Sequence, residues 1–230
     1  MLAMKVTALI PVYNEINTIQ ELVRKVLASG LVREIIIVDD GSTDGTRQVI
    51  QEMNGENGIK AVLHDEKKGK GAAVRAGIDA VSGDVVIIQE PDHDYYPGDY
   101  AALLKPFEEG QADVVYGSRF MKGWQMPTLY GNLFAIKWIT FVANMLYNDI
   151  LTDLMTDYKV FRPEVLNGIT LNARSVEFGP EFTAKILKKK VQIQEVPISS
   201  NPRNFSQGKK MRPSDVWVAV WTLVKYRFIN

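Results

Sequence analysis

Three runs of apolar, largely β-branched residues constrain this chain most: Val6–Val12, residues 35–38 and Val85–Ile88. They lack the polar alternation of a half-exposed strand, and strands buried on both faces of a parallel sheet need such runs. Helical spacing fills the intervals. Ile19, Leu22, Val23, Val26 and Leu27 recur every three to four residues, with Asn17 and Gln20 at capping-box spacing and Gly30 placed as terminator. Further helices are expected over Thr46–Met53, 72–80 and Tyr100–Glu108, and further strands over Ile59–Leu63 and 113–116. This alternation predicts an α/β fold with an open, mostly parallel sheet flanked by helices. Ligands of such sheets bind beyond the carboxyl ends of the strands, and polar clusters follow Val12, Val38 and Ile88 at that edge.

The second half is less regular. It reads as an aromatic-rich helix over Tyr130–Tyr147, a helix over 180–189 and a strand over 191–198. A loop over 201–213 carries Arg203, Lys209, Lys210 and Arg212, and an amphipathic helix with Trp217 and Trp221 follows over 215–228. No linker divides the 230 residues, so one domain over 1–230 is expected. The chain has no cysteine, which excludes disulfides and thiolate metal sites. Val6–Val12 is too short for a signal peptide, and the apolar stretch 129–151 is broken by Lys137 and Asp149. Net charge is zero but uneven. From Lys185 onward ten Lys/Arg face two acids, a net of +8 on an acidic body. An anionic partner is expected at that end, and no nucleic-acid motif accompanies the charge.

Three clusters carry chemistry. Glu90, Asp92 and Asp94 stand at alternate positions after the third run, and carboxylates are what hard divalent cations prefer. A solvated acidic turn is the competing reading; His93 should face the other way. Gly69-Lys70-Gly71 opens a helix where free N–H groups favour an anion, unless it is a plain basic turn. Arg119 follows a strand and can clamp a phosphate or form a surface salt bridge.

Taken together, Pro11-Val12-Tyr13-Asn14-Glu15, Val38-Asp39-Asp40-Gly41-Ser42-Thr43-Asp44-Gly45-Thr46, Gly69-Lys70-Gly71-Ala72-Ala73 and Gly117-Ser118-Arg119-Phe120 resemble, in order and spacing, the family 2 glycosyltransferases of the GT-A fold. Asp157-Tyr158-Lys159-Val160-Phe161-Arg162 and Glu195-Val196-Pro197-Ile198 make the chain similar to the polyprenyl-phosphate (dolichyl-type) sugar transferases within that family. The resemblance implies a nucleotide-sugar half over 1–120 and an acceptor half over 121–230. Pro11, Tyr13, Glu15, Val38, Asp40, Lys70, Glu90 and Pro91 would meet the nucleotide, Tyr13 stacking on the base or serving as a rim aromatic. Glu90, Asp92 and Asp94 would hold Mg2+ or Mn2+ against the donor diphosphate, with Asp92, Arg119 and Glu181 catalytic and Glu181 the general base for a hydroxyl acceptor. Glu90 stands where the family has Asp, and Pro91 replaces a small residue.

The resemblance thus implies a metal-dependent inverting transferase moving a sugar from a nucleotide diphosphate donor to a polyprenyl phosphate. Arg203, Lys209, Lys210 and Arg212 would hold the acceptor phosphate. Two alternatives stay open: a saccharide or other hydroxyl acceptor, and a silent nucleotide-sugar binder. A nucleotidyltransferase is disfavoured by the first loop. Aromatic residues on the helices at Tyr130–Tyr147 and 215–228 suit a membrane interface, core packing or a homo-oligomer contact. A cytoplasmic protein peripheral to the membrane is expected.

Overall fold

The computed structural model describes residues 4–92, 94–121, 130–200 and 212–229. Seven strands form one sheet in the order β3-β2-β1-β4-β6-β5-β7. They are β1 (Val6–Val12), β2 (Glu34–Asp39), β3 (Ile59–Leu63), β4 (Val85–Ile88), β5 (Val114–Ser118), β6 (Lys159–Phe161) and β7 (Ile193–Pro197). All pairings are parallel except those of β6, which runs antiparallel between β4 and β5. The helices are α1 (Ile19–Ala28), α2 (Thr46–Met53), α3 (Lys70–Ile78), α4 (Tyr100–Glu108), α5 (Tyr130–Tyr147), α6 (Phe178–Lys188) and α7 (Pro213–Phe228).

The apolar runs occupy the centre as their composition demands, with every residue of β1 and β4 buried. Alternate residues feed two cores. Ala8, Ile10 and Val12 pack with Leu22, Val26 and Leu103 on one face, while Leu9, Val86 and Ile88 pack with Val74 and Phe182 on the other. A third cluster joins α5, α6 and α7 through Ile139, Ala143, Ala184, Ala219 and Leu223.

Two local expectations change. α1 begins at Ile19, with Thr18 rather than Asn17 in the cap position; the N–H groups of Thr18 and Ile19 donate to the Glu15 carbonyl at 3.1 and 3.0 Å. α3 begins at Lys70, two residues before the expected start. β6 is a strand that no pattern announced. Three residues are too few to show a period, and they form a strand only because β4 and β5 leave a slot between them. Its reversed direction is decisive for the site. Residues just before β6, Asp153 to Tyr158, arrive at the edge where the parallel strands end.

Candidate functional site

At the β1 and β2 ends, the two loops are stapled together. Asn14 N–H donates to Ser42 Oγ at 2.9 Å, and Thr43 N–H donates to Asn14 Oδ1 at 2.8 Å. Pro11 and Val38 are buried in the sheet, whereas Tyr13 is exposed with the Lys67 ammonium 3.6 Å above its ring. Glu15 is half-buried and accepts from the Thr18 hydroxyl at 2.7 Å. Asp40 departs from expectation. Its carboxylate accepts the N–H groups of Lys68 and Gly69 at 2.9 and 2.7 Å and meets His64 Nδ1 at 2.8 Å. It is buried and clasps the lysine-glycine loop, so in this arrangement its oxygens are taken by the chain's own groups. A lone histidine gave no cue to this partnership.

Gly69 has φ +99°, and a Cβ there would overlap the Arg174 carbonyl oxygen. Gly71 N–H donates to that same oxygen at 3.0 Å. The opening of α3 is therefore laid against residues 173–174, and Glu181 holds that strand of chain in place. The Glu181 carboxylate is fully buried; it accepts from Asn172 N–H at 2.9 Å, Ala173 N–H at 2.6 Å and the Lys185 ammonium at 2.7 Å. Burial pushes its pKa up, but Lys185 and the two N–H donors outweigh burial and hold it below the usual range. A buried, hydrogen-bond-saturated carboxylate of lowered pKa is a poor proton acceptor. The general-base expectation for Glu181 is accordingly revised to a supporting one. Glu181→Gln should cost about 1–3 kcal/mol of folding stability in denaturant titrations. The same variant should keep kcat near that of the parent, without the roughly 10²–10⁴-fold loss of a missing base.

The centre of the edge is a mesh of opposite charges. Lys70 Nζ lies 2.7 Å from Glu90 Oε1 and also bonds the Asp157 carboxylate. Arg119 sits one step away, its Nε and Nη2 donating to Asp153 at 2.6 and 2.7 Å and its own N–H to the same group at 3.1 Å. The surface-salt-bridge reading fails for this pair, because Asp153 is wholly buried. Glu195 in turn accepts the N–H groups of Thr152 and Asp153 at 2.6 and 2.9 Å. Tyr95 Oη accepts the Asp157 N–H at 3.0 Å. Asp153 gave no cue of its own and Asp157 none beyond opening the Asp157-Tyr158-Lys159 segment; they matter because β6 delivers them here.

Burial pushes Glu90 up to about 7, Lys70 opposing and Asp157 and Asp92 reinforcing. Its Oε1, though within ion-pair range of Lys70, accepts no well-directed hydrogen bond. Burial likewise pushes Lys159 down to about 7, against the pull of Asp157 and Asp153. Lys159 donates to the carbonyls of Leu154, at 2.9 Å, and Thr156, which ties down the turn before β6. Because the unfolded chain keeps this lysine protonated to about pH 10 while the folded one sheds the proton near 7, the unfolded state binds more protons in between. Stability contributed by Lys159 should therefore rise with pH from 7 to 9. Measured against Lys159→Met in urea, the parent should gain on the order of 1–2 kcal/mol across that range.

Asp92 and Asp94 are half-exposed and line an open cleft of about 490 Å3 with Glu21, Lys25, Tyr96 and Ser199. Asp94 N–H donates to Asp92 Oδ1 at 3.1 Å. The expected trio of metal ligands is not assembled: among the described residues no three carboxylates or histidines converge as a cation cage. Glu90 is drawn to Lys70 while Asp92 and Asp94 face the cleft. The donor set still fits a hard cation of the magnesium type, which takes one or two carboxylates and completes its shell with substrate phosphate and water. Glu90, whose buried Oε1 faces the Lys70 ammonium, and Asp92, near enough to push the Glu90 pKa up, would make such a pair. Of the basic acceptor loop, Arg212 is described and exposed, its N–H capped by Asp215 at 2.9 Å. Arg203, Lys209, Lys210 and His93 lie outside the described residues.

Comparison with known proteins adds an independent finding. The model of the family described as Glycosyl transferase family 2 matches residues 7–170. The chain is 29% identical over 212 residues to a dolichol-phosphate mannosyltransferase of Pyrococcus furiosus, covering 90% of this chain and 59% of that protein. It is 28% identical over 224 residues to the UDP-N-acetylglucosamine--dolichyl-phosphate N-acetylglucosaminyltransferase of Methanococcus voltae, covering 87% of each. Among solved structures, glucosyl-3-phosphoglycerate synthase of Mycobacterium tuberculosis, in complex with Mn2+, UDP and phosphoglyceric acid, superposes with a TM-score of 0.75 at 18% identity. That match covers 99% of this chain and 80% of the other and shows a shared fold.

Proposed function

Because this chain belongs to glycosyl transferase family 2, and is thereby a glycosyltransferase, we propose that it transfers a sugar from a nucleotide diphosphate donor to a polyprenyl phosphate. The observation that carries the donor half is the Lys70–Glu90–Asp157 mesh at the carboxyl edge, beside Asp92. It sets one cation and several anions where a diphosphate and its counter-ion need partners. Tyr13, Glu15 and the loop that Asp40 clasps would receive the nucleoside, and Lys70 would exchange carboxylate for phosphate contacts. Glu90 and Asp92 would hold Mg2+ or Mn2+, whose chemistry is to neutralise the leaving diphosphate. Structural neighbours were crystallised with UDP and either ion.

The reaction forms a bond from an acceptor oxygen to the anomeric carbon and breaks the bond from that carbon to the diphosphate. Attack from the face opposite the leaving group inverts the anomeric configuration. Revision of Glu181 favours a phosphate acceptor, which is already ionised at neutral pH and needs no general base. It needs cations instead, and Arg119 with Arg203, Lys209, Lys210 and Arg212 would supply them. The names of both dolichyl relatives agree with such an acceptor. A lipid acceptor puts the work at a membrane surface; no helix among the described residues is long and apolar enough to cross one.

A donor screen tests the reading. Purified protein, Mn2+ and a short prenyl phosphate should consume one nucleotide sugar and release its nucleoside diphosphate in step with glycolipid. Nucleotide binding by calorimetry without transfer to any prenyl phosphate or saccharide would leave only a silent binder.

A further inference from the structure

Helices α5 and α7 pack against each other through Ile139, Val142 and Ala143 on one side and Ala219, Leu223 and Tyr226 on the other. Each then leaves a second apolar stripe uncovered. On α5 this stripe includes Trp138, Phe141 and Met145, and on α7 it includes Trp217, Trp221 and Phe228. The spacings are helical, so each set lies along one side of its helix. Exposure is extreme for such residues: Met145 is 69% exposed, Trp217 72% and Phe228 78%. Trp138 and Phe141 stack on one another, with ring centroids 5.9 Å apart, and so form one broad aromatic plate. An apolar surface of this kind on a folded protein marks a contact with something else.

Charge decides between the candidates. Lys225 and Arg227 are exposed on the same last turns of α7 as Phe228, and Lys188 of α6 reaches the Ile229 carbonyl at 3.2 Å. The single acid of α7, Asp215, is spent on capping Arg212. A two-fold contact of this face with itself would set the charge of Lys225 and Arg227, which α7 offers no second acid to offset, against its own copy. Anionic headgroups neutralise it, while aromatic rings settle at the headgroup–acyl boundary.

We propose that the outer faces of α5 and α7 dock on the surface of an anionic bilayer. Position gives the docking its use. Lys137, next to Trp138, donates to the Thr152 carbonyl at 3.1 Å, and the following residue, Asp153, grips Arg119. Through Lys137 the helix that carries the aromatic plate is thus tied to the segment that holds Arg119, and α7 begins directly after the basic acceptor loop. A lipid-borne phosphate would meet the reaction edge without leaving its leaflet. This use rests on the lipid-phosphate reading above; the docking itself does not.

The test is co-sedimentation of the whole chain with vesicles of phosphatidylcholine alone or mixed with phosphatidylglycerol, without donor or acceptor. The parent should pellet with the mixed vesicles, less with the neutral ones, and release as salt is raised. The triple variant Trp217→Ser, Trp221→Ser, Phe228→Ser should partition at least about tenfold less. All three side chains are solvent-exposed, so the variant should keep the parent's circular dichroism and Tm. Parent protein left in the supernatant with both vesicles would overturn the proposal. So would a parent that sediments as a dimer and a variant that sediments as a monomer, since a second copy would then cover the face. Vesicle binding alongside a failed donor screen would uphold the docking face and sink the transferase reading alone.

Discussion

Asp92→Ala should lower turnover about 10²–10³-fold or more while leaving the fold intact. Asp92 is half-exposed and accepts a local hydrogen bond from Asp94 N–H at 3.1 Å, so its loss should cost no more than about 1 kcal/mol of stability. Its charge matters far more than its packing, because the diphosphate leaving group carries its negative charge into the transition state. Asp92→Asn separates the two effects: it keeps the shape and the hydrogen bond yet should be nearly as inactive. Chelation should abolish parental activity and added Mn2+ should restore it, with calorimetry reading Mn2+-dependent nucleotide binding in the parent and a weaker event in Asp92→Ala. Full activity of either variant, or of chelated parent, would remove Asp92 and the cation from the mechanism.

The second large effect is on stability. Asp153→Ala should cost about 3–5 kcal/mol, because it leaves the largely covered Arg119 guanidinium without its bidentate partner. The cost comes from stranding a charge and not from the worth of the pair, so the double change Arg119→Met with Asp153→Ala should recover part of it. Denaturant midpoints of the four proteins form the cycle that checks this. A single Asp153→Ala variant as stable as the parent would mean that Arg119 finds other partners. Arg119→Lys should keep charge but lose the planar fork, and should therefore raise KM for a phosphate acceptor more than for the donor.

Much of this architecture was legible before any coordinates. Uninterrupted β-branched runs can be satisfied only in the middle of a sheet, and Val6–Val12, residues 35–38 and Val85–Ile88 fall where their composition sends them. Glycine at 69 was legible too, as part of an anion-loop pattern. Its closest physical reason is different: Arg174 leaves no room for a Cβ. Misreadings cluster where a polar residue has a choice of partners. Asn17 lost the cap because the Glu15 carbonyl took the first N–H groups of α1, and Glu181 lost its role as base because Asn172, Ala173 and Lys185 took its oxygens.

Residue order and type thus determine a strand–helix alternation, the edge at which chemistry collects and the acidic tip after β4. Those are local properties, set by hydrophobic period and by which backbone angles a residue tolerates. Partnership among the charges is not local. Lys70 and Asp157 stand 87 positions apart and Arg119 and Asp153 stand 34 apart. They meet because three residues of β6 pair backward between β4 and β5. Coulomb attraction acts through space, so it took the folded sheet to turn an acidic tip into a mesh in which each cation has a chosen anion.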